Sequence, residues 1–156
     1  MTNKSEDLKL IIVGTGELNE EIHSKTKRLG LENRVRFFGF IRKDTLRICY
    51  SAADLFVLPS VNEPFGIVLL EAMAFGLPII ASDSGACPEV IGNAGVLFKQ
   101  GDYQDLGEKI LNLMTNLRLR RQLAEVGLKR VKQVFSNEEH IRKHINLYRN
   151  ILKSDI

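Results

Sequence analysis

The chain has 156 residues, 44% hydrophobic and 26% charged, with a formal net charge of +3. That length suits about one domain with a proper core, and no apolar run is long enough to span a membrane. The charge is too mild to call for nucleic acid, and two cysteines, Cys49 and Cys87, give no disulfide framework.

Met1–Asp7 is polar, lacks the pattern of a secretion signal and runs straight into a strand, so a reducing cytoplasm is the expected setting. Leu8–Gly14 has the apolar density of a central parallel strand. Gly14-Thr15-Gly16 follows at its carboxyl end, before a helix over about Leu18–Leu29. The pair of glycines lacks the third glycine of a dinucleotide fingerprint and reads as a tight turn or as a phosphate cradle. Gly30 closes the helix, Val35–Phe40 is the second strand, broken by Gly39, and Asp44 is expected to cap a helix through about Ala52.

Asp54–Leu58 is a third, nearly unbroken apolar strand. From Gly66 the residues are good helix formers until Gly76-Leu77-Pro78 stops them. Pro78–Ser82 is the fourth strand, Asp83–Gly85 a loop at its carboxyl end, Pro88–Ile91 a short helical turn and Ala94–Phe98 the fifth strand. Beyond Asp102 the chain is helical over Tyr103–Thr115, Leu117–Val134 and Asn137–Lys153. Ser136 with Glu139 predicts a capping box for the last helix, whose Ile141, Ile145, Tyr148 and Leu152 form one apolar stripe expected to pack on its own domain. The basic residues between Arg118 and Lys132 alternate with apolar ones as on a solvated face, in preference to a membrane-surface face. His140 and His144 make an i,i+4 surface pair, not a zinc site, and no metal is expected.

The stretch Pro59–Pro78 organises the rest. Pro64 and Gly66 sit at a loop-to-helix junction, where first-turn N–H groups lack intrahelical partners and favour an anion. Gly66 has no side chain to hold that anion away. Two carboxylates remain, Glu63 before the helix and Glu71 within it. Glu63 reads either as a charge favouring the positive helix end or as a ligand for hydroxyls. Glu71 lies among Ile67, Val68, Leu69, Leu70, Ala72, Met73, Ala74 and Phe75, so the helix is expected to be buried and Glu71 with it, held by a polar ligand or by a lysine elsewhere.

Glu63-Pro-Phe-Gly-Ile-Val-Leu-Leu-Glu71-Ala-Met-Ala-Phe-Gly-Leu-Pro78 resembles the Glu-x7-Glu signature of the retaining GT-B glycosyltransferases called group 1. The likeness extends through Val35–Phe40, Tyr50–Ser60, Ile80–Ala86, Pro88–Ile91 and the C-terminal helices, nearly the whole chain. It implies a single nucleotide-sugar donor domain over residues 1–156, the carboxyl-terminal half of such an enzyme. It implies that Glu63, the catalytic candidate, holds donor-sugar hydroxyls, that Glu71 holds the ribose, and that amides around Phe65, Gly66 and Ile67 face the diphosphate. Phe40 and Ile41 would line the nucleobase pocket, and Gly14 and Gly16 stand as further donor-binding candidates. The resemblance further implies a nucleotide-diphosphate sugar as donor, used without a metal or other cofactor. The full enzyme would pass the sugar to a hydroxyl acceptor with retention, in the cytoplasm, with a peripheral membrane contact as a further expectation.

Each strand is followed by a helix or helical turn, so an α/β three-layer, doubly wound parallel sheet is predicted, with ligands at the carboxyl ends of its strands. Gly14–Gly16, Glu63–Gly66 and Ser82–Gly85 all lie at such ends, which predicts one shared cleft. Family members open this domain with a further strand whose loop carries an Arg and a Lys, and they carry an amino-terminal acceptor domain; neither has a counterpart in this sequence. The expectation is therefore a donor half that needs an acceptor domain or partner subunit. The gap left by the family's first strand is expected to close, giving a five-stranded sheet in the order 2-1-3-4-5; the alternative is that it stays open and leaves two apolar strand edges. The alternatives are a non-catalytic nucleotide-sugar-binding module or a subunit of a split transferase. A flavodoxin-like domain is disfavoured, since no Asp pair or flavin loop follows the first strand.

Overall fold

The computed structural model describes residues 8–154, so the reading of Met1–Asp7 lies outside the described residues. The chain falls into two compact units that meet in sequence between Ala52 and Ala53.

The first unit holds β1 (Leu10–Ile12), α1 (Asn19–Arg28), β2 (Val35–Phe37) and α2 (Lys43–Ala52). β1 and β2 pair in parallel, Leu10 opposite Val35 and Ile12 opposite Phe37. The ladder continues past the strands, because the Phe38 amide donates to the Ile12 carbonyl at 2.9 Å and the Gly14 amide to Gly39 at 2.7 Å. α2 begins one residue before Asp44, which therefore sits in the first turn instead of capping it; the helix dipole still favours it there.

The second unit holds β3 (Phe56–Leu58), α3 (Ile67–Ala74), β4 (Ile79–Ser82), α4 (Cys87–Ile91), β5 (Gly95–Phe98), α5 (Tyr103–Thr115), α6 (Leu117–Val134) and α7 (Asn137–Ser154). β4 is the middle strand of a parallel β3-β4-β5 sheet, and all four of its residues are buried. This is why its sequence is a continuous apolar run rather than an alternation: both faces are covered. Ile80 meets Phe98, Leu113 of α5 and Leu123 of α6 in the core. α3 lies against α6 where Gly127 leaves room, since a Cβ there would come 3.1 Å from Met73 Cγ. Asp102 caps α5 by accepting from the Gln104 and Asp105 amides at 3.1 and 3.0 Å, and Asn116 caps α6 by accepting from Leu119 at 3.0 Å.

Among the described residues the strands pair as two parallel sheets, β1-β2 in the first unit and β3-β4-β5 in the second, so the single five-stranded order 2-1-3-4-5 is not seen. The α7 stripe is not packed either, as Ile141, Ile145, Tyr148 and Leu152 are all exposed. The capping box of α7 is half made: Ser136 accepts from the Glu139 amide at 3.2 Å, but the Glu139 carboxylate is taken by Arg142 at 2.5 and 2.7 Å. No helix of the described residues is long and apolar enough to cross a membrane.

Candidate functional site

The site residues of the second unit gather on the loop between β3 and α3. Gly66 stands before the first turn of α3 with φ +81°, a left-handed conformation that glycine adopts without a Cβ penalty. The turn this makes brings its amide back onto Glu63, whose Oε1 accepts from the Gly66 N–H at 2.9 Å and from the Phe65 N–H at 3.4 Å. Glu63 Oε2 accepts from the Ser60 hydroxyl at 3.3 Å. Two of the amides expected to face a diphosphate therefore already hold the chain's own carboxylate, which fixes Glu63 and leaves the further lone pairs of its oxygens to accept from hydroxyls.

The loop is clamped from the end of β4. Ser82 Oγ donates to the Ser60 carbonyl and Ser84 Oγ to the Val61 carbonyl, while the Ala86 amide donates to the Glu63 carbonyl at 2.8 Å. Gly85 has φ +55°, and a Cβ there would lie 2.3 Å from the Glu63 carbonyl oxygen. Only glycine fits that approach. The loops at Glu63–Gly66 and Ser82–Gly85, expected from sequence to share a place at the strand ends, are thus bonded to each other. Cys87, fully buried behind them, has its thiol pushed up by burial; a hydrogen bond with Ser82 opposes this, and the charge of Glu63 adds to it.

Glu71 is exposed, contrary to the expectation of a buried charge. The helix turns about 100° per residue, so Leu69, Ala72 and Met73 share one face and Ile67, Glu71, Ala74 and Phe75 the opposite one. Apolar residues all round the helix hid which face is open. That open face carries Ile67, 58% exposed, and Phe75, 40% exposed, beside Glu71. Phe65 is exposed as well, at the head of the same helix.

In the first unit two candidate segments meet. The bond from the Gly14 amide to the Gly39 carbonyl puts the Gly14–Gly16 loop beside the Gly39–Ile41 loop, and a Cβ on Gly39 would touch Thr15 at 3.7 Å. Phe40 is 90% exposed, a bare ring at the end of β2, and Ile41 is half-buried. Gly16 has open space around it. The serines Ser60, Ser82 and Ser84 were not singled out as working residues from sequence; a hydroxyl at each strand end is a common residue, and only the fold aims all three at one loop. Among the described residues there is no group of three His, Cys, Asp or Glu side chains that could hold a metal ion.

Residues 1–130 match the family described as glycosyl transferases group 1. N-acetyl-alpha-D-glucosaminyl L-malate synthase of Bacillus anthracis is 34% identical over 151 residues, covering 96% of this chain but 39% of that protein. Among solved structures, the C-terminal domain of a glycosyl transferase group 1 family protein (LpcC) from Francisella tularensis is 30% identical with a TM-score of 0.77, covering 85% of this chain and 72% of that one. Anabaena HepE in complex with UDP is 30% identical with a TM-score of 0.77, covering 96% of this chain and 41% of that one. The chain thus spans about two fifths of the length of such full-size relatives. With parallel sheets, seven helices among its described residues and the Glu63-to-Glu71 segment built as above, the chain has the α/β Rossmann-like GT-B fold and belongs to the group 1 glycosyl transferase family.

Proposed function

We propose that this chain is the donor-binding, carboxyl-terminal part of a retaining glycosyltransferase. The observation that carries the reading is the Glu63 carboxylate, held by Gly66 and Ser60 at the head of α3, with Glu71 about one turn into the helix on its open face. Glu63 accepts hydroxyls of the donor sugar and is the residue in contact with the reacting group. Glu71 accepts the ribose hydroxyls. Phe65, Gly66 and Ile67 line the sugar and diphosphate, and in the first unit Gly14, Gly16, Phe40 and Ile41 serve the nucleotide. The UDP complex of Anabaena HepE makes a uridine nucleotide the first probe.

In the complete enzyme the bond between sugar and diphosphate breaks and the sugar passes to a hydroxyl with its anomeric configuration kept. Positioning and fixed dipoles carry the rate, with no resident metal and no protein nucleophile in the reading. An acceptor-binding half, on the same polypeptide or on a partner subunit, completes the site. The setting is the cytoplasm, with a membrane contact made through the full enzyme. The isolated chain accordingly binds nucleoside diphosphates weakly and turns over no donor.

Calorimetry with UDP and UDP-glucose, with a donor-hydrolysis assay alongside, tests this. Glu71→Gln is expected to weaken UDP binding by about 1.5–3 kcal/mol, the worth of a hydrogen bond to a charged group, with little change in melting temperature. Unchanged affinity with a large melting shift would make Glu71 a structural charge. Binding without turnover also fits a binding module or a split-transferase subunit; efficient transfer by the chain alone would overturn the donor-half reading.

A further inference from the structure

We propose that Arg130, in α6, is a positioning residue for Glu63, acting through α4; the functional value of this rests on the reading of Glu63 given above. α4 is one short helix of five residues; the Gly92 and Ala94 amides serve its Pro88 and Ile91 carbonyls, and Arg130 serves those of Glu89 and Val90. Its Nε donates to the Val90 carbonyl at 2.8 Å and its Nη2 to the Glu89 carbonyl at 2.7 Å, a fork that a lysine cannot reproduce. The guanidinium is seated over the Phe135 ring at 5.5 Å. Gly92 makes room for it, since a Cβ there would come 2.8 Å from Arg130 Cζ.

Val90, whose carbonyl Arg130 holds, is buried against the turn that sets Glu63. A Cβ on Gly66 would lie 3.5 Å from Val90 Cγ2, so Val90 forms part of the wall behind the Gly66 backbone. The other end of α4 is tied to the same loop, because the Val90 amide donates to Ala86 at 2.9 Å and the Ala86 amide to Glu63 at 2.8 Å. Arg130 therefore fixes one end of a short rigid segment whose opposite end and flank hold the backbone of Glu63 and Gly66. Without the fork, α4 can slide along its axis, and the carboxylate loses its alignment with the Gly66 amide.

The experiment has a ligand-free arm and a ligand arm. In the whole chain, amide exchange followed by NMR is expected to rise at least about tenfold at Ala86 and Val90 in Arg130→Gln, relative to Ile80 and Ala81 of β4. Phe135→Leu, which removes only the platform, is expected to give a smaller rise at the same amides and serves if Arg130→Gln does not fold. A uniform rise that includes β4, or none at Ala86 and Val90, would overturn the proposal by making Arg130 an ordinary stabilising residue. With UDP-glucose as probe, Arg130→Gln is expected to weaken binding about five- to tenfold, Arg130→Lys to restore less than half of that, and Arg130→Gln on a Glu63→Gln background to add less than about twofold. Full additivity of the two substitutions would overturn the coupling to Glu63. If the unaltered chain binds neither UDP nor UDP-glucose, the donor reading fails and the exchange arm still decides what Arg130 does.

Discussion

The chain up to Ala52 and the chain from Ala53 onward use the same elements, parallel strands alternating with helices, yet bury side chains very differently. In the first, Leu10 of β1 is 50% exposed and Ile11 42%, and among its described residues only Tyr50 and Thr26 are buried. In the second, Leu69, Met73, Ile79, Ile80 and Ile91 are at 0%. At roughly 25 cal/mol per Å² of apolar surface removed from water, the second unit carries most of what holds the described chain together. The difference teaches that apolar density in sequence is not burial: Leu8–Val13 is as apolar as Pro78–Ser82, but only the latter is covered by helices of its own unit, α3, α4 and α5.

The sharpest way to break this comparison is a matched pair of truncations. Ile80→Ala is expected to cost about 2–5 kcal/mol in urea unfolding, as a cavity in a closed core. Ile11→Ala should cost under about 1 kcal/mol, because its side chain is already partly in water. Equal losses would mean that β1 is covered in solution as β4 is. A pair of glycines gives the next effect. Gly85→Ala is expected to lose more than about 1 kcal/mol, from a left-handed φ and a clash with the Glu63 backbone, whereas Gly16→Ala should stay within about 0.5 kcal/mol, having open space around it. A stable Gly85→Ala variant with normal UDP binding would remove the close approach from the site.

The cysteines contrast the units chemically. Half-buried Cys49 should react with a thiol reagent in the native chain near pH 8, while Cys87, buried and with its thiol pushed up, should react only on unfolding. Two fast thiols would show the second unit to be less closed than its burial implies. The smallest effect belongs to Asp105, whose carboxylate accepts from the Lys99 amide at 2.8 Å and lies 3.4 Å from Lys109. The Lys99 hydrogen bond, then Lys109, holds its pKa below the usual 3.8. A lowered carboxylate contributes stability above 3.8, lost as the pH falls through its lower folded value. Asp105→Asn should therefore shrink the pH dependence of unfolding in that acid window alone, and only slightly, since the half-buried group still meets solvent. A stability loss as large below the folded pKa as at neutral pH would mean that the substitution disturbs the loop at Lys99 independently of charge.

Much of the second unit could be read before any coordinates. β4 and β5, α5 and α6 fall within a residue or two of their expected bounds, because their apolar runs and the stop at Gly76–Pro78 are local signals. The Glu63 junction was legible for the same reason: Pro64 and Gly66 dictate the turn by their own backbone preferences. Glu71 was not, since a helix apolar on every side gives no hint of which face a neighbour covers. The α7 stripe misled in the opposite way, as amphipathicity announces a face to be covered without naming the cover.

What the sequence by itself determined is therefore what depends on residues near one another along the chain: the alternation of strand and helix, the Glu63-to-Gly66 turn, and the signature that marks the family. Only the tertiary structure decided that β1 pairs with β2 and β4 sits between β3 and β5, that Glu71 faces outward, that Ser82 and Ser84 bond the loop of Ser60, and that Arg130 holds the end of α4. The physical reason is separation along the chain. A contact such as that of Arg130 with Val90 joins residues 40 positions apart, and neither propensity nor periodicity in a short window holds information about which distant side chain will supply a missing donor.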